Sequence, residues 1–112
     1  MINTDTLAKS KCQPGVDGIP PLPENEIISL LRALSDWQRN GNTLVKTYRF
    51  DNYHETMAFV NATAWISHRE DHHPDLAVGY NQCTVSYTTH AVDGLSRNDF
   101  ICAAKIDALF EL

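Results

Sequence analysis

The densest run of ionisable side chains in this sequence is His68-Arg69-Glu70-Asp71-His72-His73-Pro74-Asp75, with His90 and Asp99 further along. Four of the five histidines fall within or after that run. Histidine titrates nearest neutrality, so a group of them can hold an acid and a base at the same pH. Proton transfer is the chemistry such a cluster suits. Pro74 pushes His73 toward extended backbone, so a helix arriving from the N-terminal side ends here. His72 then lies near a helix C-terminus, where a protonated imidazole is favoured. His68 and His72 are spaced i,i+4, but His-Arg-Glu-Asp-His is neither zinc motif: Asp71 stands where the inverted form puts Glu. A metal site is not supported. Ser96 reads as a helix cap with no nucleophile elbow around it, and Cys83 and Cys102 read as buried apolar positions. No glycine-rich phosphate loop is present. Two readings stay open at this point: a solvated helix end, and a cofactor-free acid–base site.

The elements that must position these residues follow from periodicity. Residues 1–22 are rich in Pro and Gly and show no period, so they read as an irregular N-terminal arm on the surface of a domain spanning 23–112. Ile27, Leu30, Leu31 and Leu34 give an amphipathic helix, with Glu24 and Glu26 in its first turn. Asn40-Gly41 signals a hairpin between a short strand and a longer one carrying Leu44, Lys46, Tyr48 and Phe50 on one face. Asn52 and Glu55 form a capping signal for a second helix, with Tyr53, Met57, Val60 and Ala64 as its apolar stripe. Two strands follow, one with Leu76, Val78 and Tyr80 alternating, the other with Cys83, Val85 and Tyr87. A turn centred on Asn81-Gln82 sets His73 opposite His90. Ser96 and Asp99 cap a last helix, with Ile101, Ala104 and Ala108 on its buried side. The order α-β-β-α-β-β-α, with neighbouring strands paired as hairpins, implies an α+β domain.

Composition narrows the function classes. The 112 residues carry 9 Lys and Arg against 14 Asp and Glu, a formal charge of −5. Nothing general draws this chain to nucleic acid or to anionic lipid. Three dispersed cysteines without a C-x-x-C pair argue against a disulfide framework or a cysteine zinc site. There is no apolar run of about 20 residues and no secretory signal, which points to a cytoplasmic protein without membrane association.

His72-His73-Pro74, Tyr80-Asn81, Thr89-His90 and Gly94-Leu95-Ser96-x-x-Asp99 together resemble the pterin-4a-carbinolamine dehydratase family, over roughly residues 23–112. The resemblance implies an α+β fold with a four-stranded antiparallel sheet and three helices on one face. It implies dehydration of 4a-hydroxytetrahydropterin to quinonoid dihydropterin, which recycles the pterin cofactor of an aromatic amino acid hydroxylase, with no metal or organic cofactor of its own. By position it implies His72, His73 and His90 as catalytic. Asp71, His72 and His73, together with Thr88, Thr89, His90 and Ala91, match the pterin-contacting segments, and Asp99 matches an acid at the site. His68 stands where relatives often carry an acid, and Leu76 where they often carry Trp. A homo-oligomer, dimer or tetramer, and a hydroxylase partner are the associations it implies. The competing functions are a non-catalytic protein-binding or dimerisation module, since some animal members serve as dimerisation partners of a homeodomain transcription factor and a fold does not fix a function, and a regulator of the hydroxylase.

A metal-independent reaction has a direct check. Carbinolamine turnover by the purified protein should be unchanged after exhaustive chelation. Loss with EDTA and recovery with zinc would replace the acid–base reading.

Overall fold

In the computed structural model, residues 3–13 and 20–111 are described. The chain order is α1 (Thr4–Lys9), α2 (Glu24–Arg32), β1 (Gln38–Asn40), β2 (Thr43–Arg49), α3 (Tyr53–Glu70), β3 (Asp75–Val78), β4 (Gln82–Tyr87) and α4 (Arg97–Ala108). A 3-10 turn, His90–Val92, leads into α4 and another, Leu109–Glu111, follows it. The four strands form one antiparallel sheet in the order β1-β2-β4-β3. This is the expected α+β architecture, with a fourth helix added at the N-terminus.

Strand alternation decides which face is covered. Leu44, Tyr48, Cys83, Val85 and Tyr87 point to one face and are buried in the core. The opposite face carries Thr47 bonded to Thr84 at 2.8 Å and Arg49 donating to Gln82 at 2.7 Å. The β1–β2 hairpin turns on Gly41-Asn42, and only Gly41 takes a positive φ, 62°. Glycine at that place accommodates the turn without steric cost.

The central helix is α4. Asn98 to Ala104 are all buried, as is Ile106. Helix α1 packs against it, and α3 does so as well. At the far end of α4, Asp107 accepts hydrogen bonds from Trp37 Nε1 at 3.0 Å, from Lys46 Nζ at 2.8 Å and from the Tyr48 hydroxyl. That carboxylate ties the helix end to β2.

Three local expectations are corrected. The N-terminal arm is not irregular throughout: α1 is capped by Asn3, whose side chain accepts from Thr6 N at 2.8 Å, and its Leu7 is completely buried. Thr4 donates its hydroxyl to Ala33 O, and Lys105 Nζ reaches Ala8 O at 2.7 Å. A six-residue helix offers too few positions to show a period, and tertiary packing holds it. Pro14 to Ile19 lie outside the described residues.

The stripe on α3 is also rotated from the expected one. Thr56, Phe59, Thr63 and Ser67 are buried, whereas Tyr53 and Ala64 are exposed. The buried hydroxyls are satisfied: Thr56 donates near Asn52 O and Tyr80 O, Thr63 to Val60 O, and Ser67 to Thr63 O. A hydroxyl bonded to a backbone carbonyl can be buried at little cost.

Finally, the β3–β4 turn is centred one residue earlier than expected. Leu76 pairs with Val85 and Val78 with Cys83, and Gly79 N donates to Gln82 O at 2.8 Å. Phe50 N, just past the end of β2, donates to Asn81 O at 2.8 Å and fixes that turn. His73 is therefore not paired opposite His90; both lie beyond the ladder.

The buried Leu7 makes the N-terminal segment part of the core. Leu7→Ala should lower stability by about 2–4 kcal/mol in denaturant titrations. Ile28→Ala, on an exposed position of α2, should change it by less than about 0.5 kcal/mol. Removing residues 1–20 should likewise lower the midpoint, because Leu7 goes with them.

Candidate active site

Helix α3 runs to Glu70 and stops at Asp71, which takes the left-handed conformation with φ 51°. The turn sends the chain away from the helix axis, and His72 N closes back onto Ser67 O at 3.3 Å. Pro74 then holds the segment extended into β3. The expected helix end is where the structure puts it.

Beyond β4, Thr89 and Gly94 form an antiparallel bridge, with Thr89 N donating to Gly94 O at 2.9 Å. Between them the His90–Val92 turn closes on Asp93, again left-handed, φ 54°. Gly94 cannot be replaced freely: a Cβ there would lie 2.9 Å from Pro21 Cβ. The chain then enters α4 through Ser96, whose capping box includes the Asp99 side chain.

These pieces converge on Asp99. Its carboxyl group has no solvent exposure. One oxygen, Oδ1, lies 2.6 Å from His72 Nε2. The other, Oδ2, accepts from the Thr89 hydroxyl at 2.7 Å and from Ser96 N at 2.9 Å. Thr89 has a single hydroxyl proton and gives it to Asp99, so the Ser96 hydroxyl, 2.7 Å away, donates to Thr89. The order of donation is thus Ser96 to Thr89 to Asp99.

With Asp99 as acceptor, His72 donates through Nε2–H, and Nδ1 is the nitrogen left for proton exchange. The His72 ring is further held by Tyr87, whose ring stacks on it at 5.6 Å between centroids and 7° between planes. The His72 side chain is 13% exposed, enough for contact with a ligand on one side. An imidazole restrained at its far nitrogen and on one ring face can take or give a proton with little reorganisation.

The remaining expected residues surround this centre. His73 and His90 are exposed, one residue from His72 and from Thr89 respectively. Asp71 and Ala91 are exposed as well. Thr88 donates its hydroxyl to Asn42 O at 2.6 Å, which ties the site loop to the β1–β2 hairpin. The structure thus joins His72, Thr89 and Asp99 directly. Asp99 and Thr89 sit behind the imidazole, each buried, and not at the accessible surface. His68 is exposed on α3 with its ring 6.2 Å from that of Trp65. Leu76 is half-buried against the core.

Two contributors escaped the sequence reading. Tyr87 looked like one more inward strand residue, and no pattern announces a ring stacked on a histidine fifteen residues earlier. Ser96 was legible as a cap, but the relay through Thr89 depends on the bridge to Gly94.

Comparison with known proteins agrees with the residue pattern. The family model for pterin 4 alpha carbinolamine dehydratase matches residues 20–109. A protein of Nitrosospira multiformis, provisionally named pterin-4-alpha-carbinolamine dehydratase, is 60% identical over 108 residues, covering 96% of each chain. One of Dechloromonas aromatica with the same provisional name is 51% identical over 112 residues, covering all of both chains. Among solved structures, one described as a transcriptional coactivator/pterin dehydratase from Brucella melitensis superposes with a TM-score of 0.76 at 28% identity, covering 80% of this chain and 97% of its own. Another, described as a pterin dehydratase-like RuBisCO assembly factor of the alpha-carboxysome, has a TM-score of 0.55 at 26% identity, covering 65% and 84%. With a family model matched across most of its length and relatives this similar end to end, the chain belongs to the pterin 4 alpha carbinolamine dehydratase family.

Proposed function

We propose that this protein catalyses dehydration of 4a-hydroxytetrahydropterin to quinonoid dihydropterin, and so returns a hydroxylase's pterin cofactor toward reuse. The observation that carries the reading is the buried Asp99 carboxylate paired with His72 at 2.6 Å. In the reaction the hydroxyl on C4a leaves as water after gaining a proton, N5 loses its proton, and a C4a=N5 double bond forms. One acid and one base are required, each contributing about 10²–10⁴-fold.

His72, held at Nε2 by Asp99, and His90 serve as acids toward the departing hydroxyl. His73 orients the pterin or accepts the N5 proton. Asp71, Thr88 and Ala91 flank the bound ring. Thr89 and Asp99 act through His72: they hold the ring and set its tautomer. The protein uses no metal or organic cofactor, works in the cytoplasm as a homo-oligomer, and meets its substrate from an aromatic amino acid hydroxylase.

A protein-binding role is the second reading. It is favoured by the coactivator and assembly-factor descriptions of the two structural relatives and by the exposed indole of Trp65 on α3.

The test is turnover of enzymatically generated carbinolamine, corrected for spontaneous dehydration. Alanine at His72, His73 or His90 should lower kcat/KM by about 10²-fold or more, with small loss of stability at His73 and His90 and a larger one at His72, which leaves Asp99 Oδ1 without its partner. Losses at His72 and His90 should combine less than additively, because both act on one oxygen. Asp99→Asn should reduce kcat about as much as His72→Ala, and the double variant should add little. His54→Ala, on the exposed first turn of α3, should match the parent protein. A folded triple-histidine variant with full activity above the spontaneous rate would leave the binding role as the better reading.

A further inference from the structure

We propose that Cys12 and Cys102 are a redox site: a hydroperoxide converts them to a reversible disulfide that clasps the N-terminal segment onto α4. Their sulfur atoms lie 3.4 Å apart although they are separated by 90 positions in sequence. A disulfide needs about 2.05 Å, so the bond asks for a movement of roughly 1.4 Å. Cys102 is fixed within α4, whereas Cys12 follows α1 on a stretch with no regular secondary structure and can supply that movement.

The approach of the two thiols is specified by their surroundings. Cys12 N donates to Glu70 Oε1 at 2.9 Å, Gln13 N to Asn98 Oδ1 at 2.9 Å, and Asn98 Nδ2 returns to Gln13 O at 2.9 Å. The last two bonds are reciprocal and set the register of the segment along α4. Cys12 Sγ also approaches Asn98 O at 3.7 Å. The third cysteine, Cys83, sits on β4 in the core.

The two thiols differ in a way that suits sequential oxidation. Cys12 is half-buried and within reach of a small oxidant, while Cys102 is fully buried. Hydrogen bonding to Cys12 and burial hold the Cys102 thiol well above the ordinary thiol range, so Cys12 is the sulfur oxidised first and Cys102 gives up its proton as it attacks. In the first step the Cys12 thiolate attacks one peroxide oxygen, the O–O bond breaks, and Cys12 becomes a sulfenic acid as hydroxide departs. In the second, Cys102 sulfur displaces hydroxide from the Cys12 sulfur. The S–S bond forms as S–O breaks, and the Cys102 proton leaves with the hydroxide as water. Two thiols are oxidised by two electrons and one peroxide is reduced; a dithiol restores both.

The clasp adjoins the His72–Asp99 centre. Cys102 lies one helical turn after Asp99, and Glu70, which holds Cys12 N, lies two residues before His72. The Tyr87 ring stacks on His72, and its hydroxyl is buried without a hydrogen-bond partner among the described residues. Burial and the Cys102 and Cys12 thiols keep that phenol above its ordinary range.

The experiment treats the reduced full-length protein with a small excess of hydrogen peroxide, then maps peptides without reduction and records thermal unfolding. The expected product is the monomer less two hydrogens, with the Cys12 and Cys102 peptides joined and Cys83 still open to alkylation after digestion. Its Tm should rise by about 10 °C, because the cross-link closes a long loop, and should return with dithiothreitol. Cys12→Ser should show neither the linked peptide nor any peroxide-dependent rise in its own Tm. A disulfide between two copies through Cys12, or Cys12 driven to sulfinic acid with Cys102 free, would overturn the proposal.

Discussion

A carboxylate without solvent exposure must find its hydrogen bonds within the protein, and much of this structure is arranged to meet that demand at Asp99. Leaving such a group unpaired would cost several kcal/mol. Its partners come from three places: His72 from the exit of α3, Thr89 from the end of β4, and Ser96 from the entry to α4. One residue therefore caps the central helix, closes the loop after the sheet and orients an imidazole. None of these segments can shift without disturbing the other two. Proteins often separate the residues that stabilise from those that act. Here one side chain serves both ends.

The sheet and α3 supply the rest of the frame. His72 is held across its ring by Tyr87, which is possible because β4 ends at Tyr87 with that side chain turned to the covered face. The buried face of α3 carries Thr56, Thr63 and Ser67 beside Phe59, with no continuous aliphatic stripe. Bulkier aliphatic side chains at Thr63 and Ser67 would press on a densely packed core.

How much of this was legible in the sequence depended on the range of the determining interaction. Caps at Asn52 and Ser96, the stop before Pro74 and the alternation in β2 and β4 depend on residues a few positions apart, and each was readable. The face of α3 was misjudged because Thr and Ser count as polar until their hydroxyls are known to bond backbone carbonyls. The β3–β4 turn was misplaced because Phe50, just past the end of β2, fixes it through Asn81. Helix α1 escaped because Leu7 has meaning only against α4. The histidines were legible by type and by resemblance. Their unequal settings were not.

That inequality bears on the proposed chemistry. His72 has one nitrogen committed to Asp99 and a ring face committed to Tyr87, so its orientation is set before substrate arrives. His73 and His90 are exposed, with no such restraint on their rings among the described residues. A preorganised group contributes most where charge develops in the transition state. In the dehydration that place is the departing hydroxyl, which suits the restrained imidazole. Of the two exposed histidines, His73 is better suited to gripping the pterin and to the proton on N5, while His90 joins His72 at the departing oxygen. On this argument His72 bears chiefly on kcat, whereas His73 contributes a larger share through substrate binding.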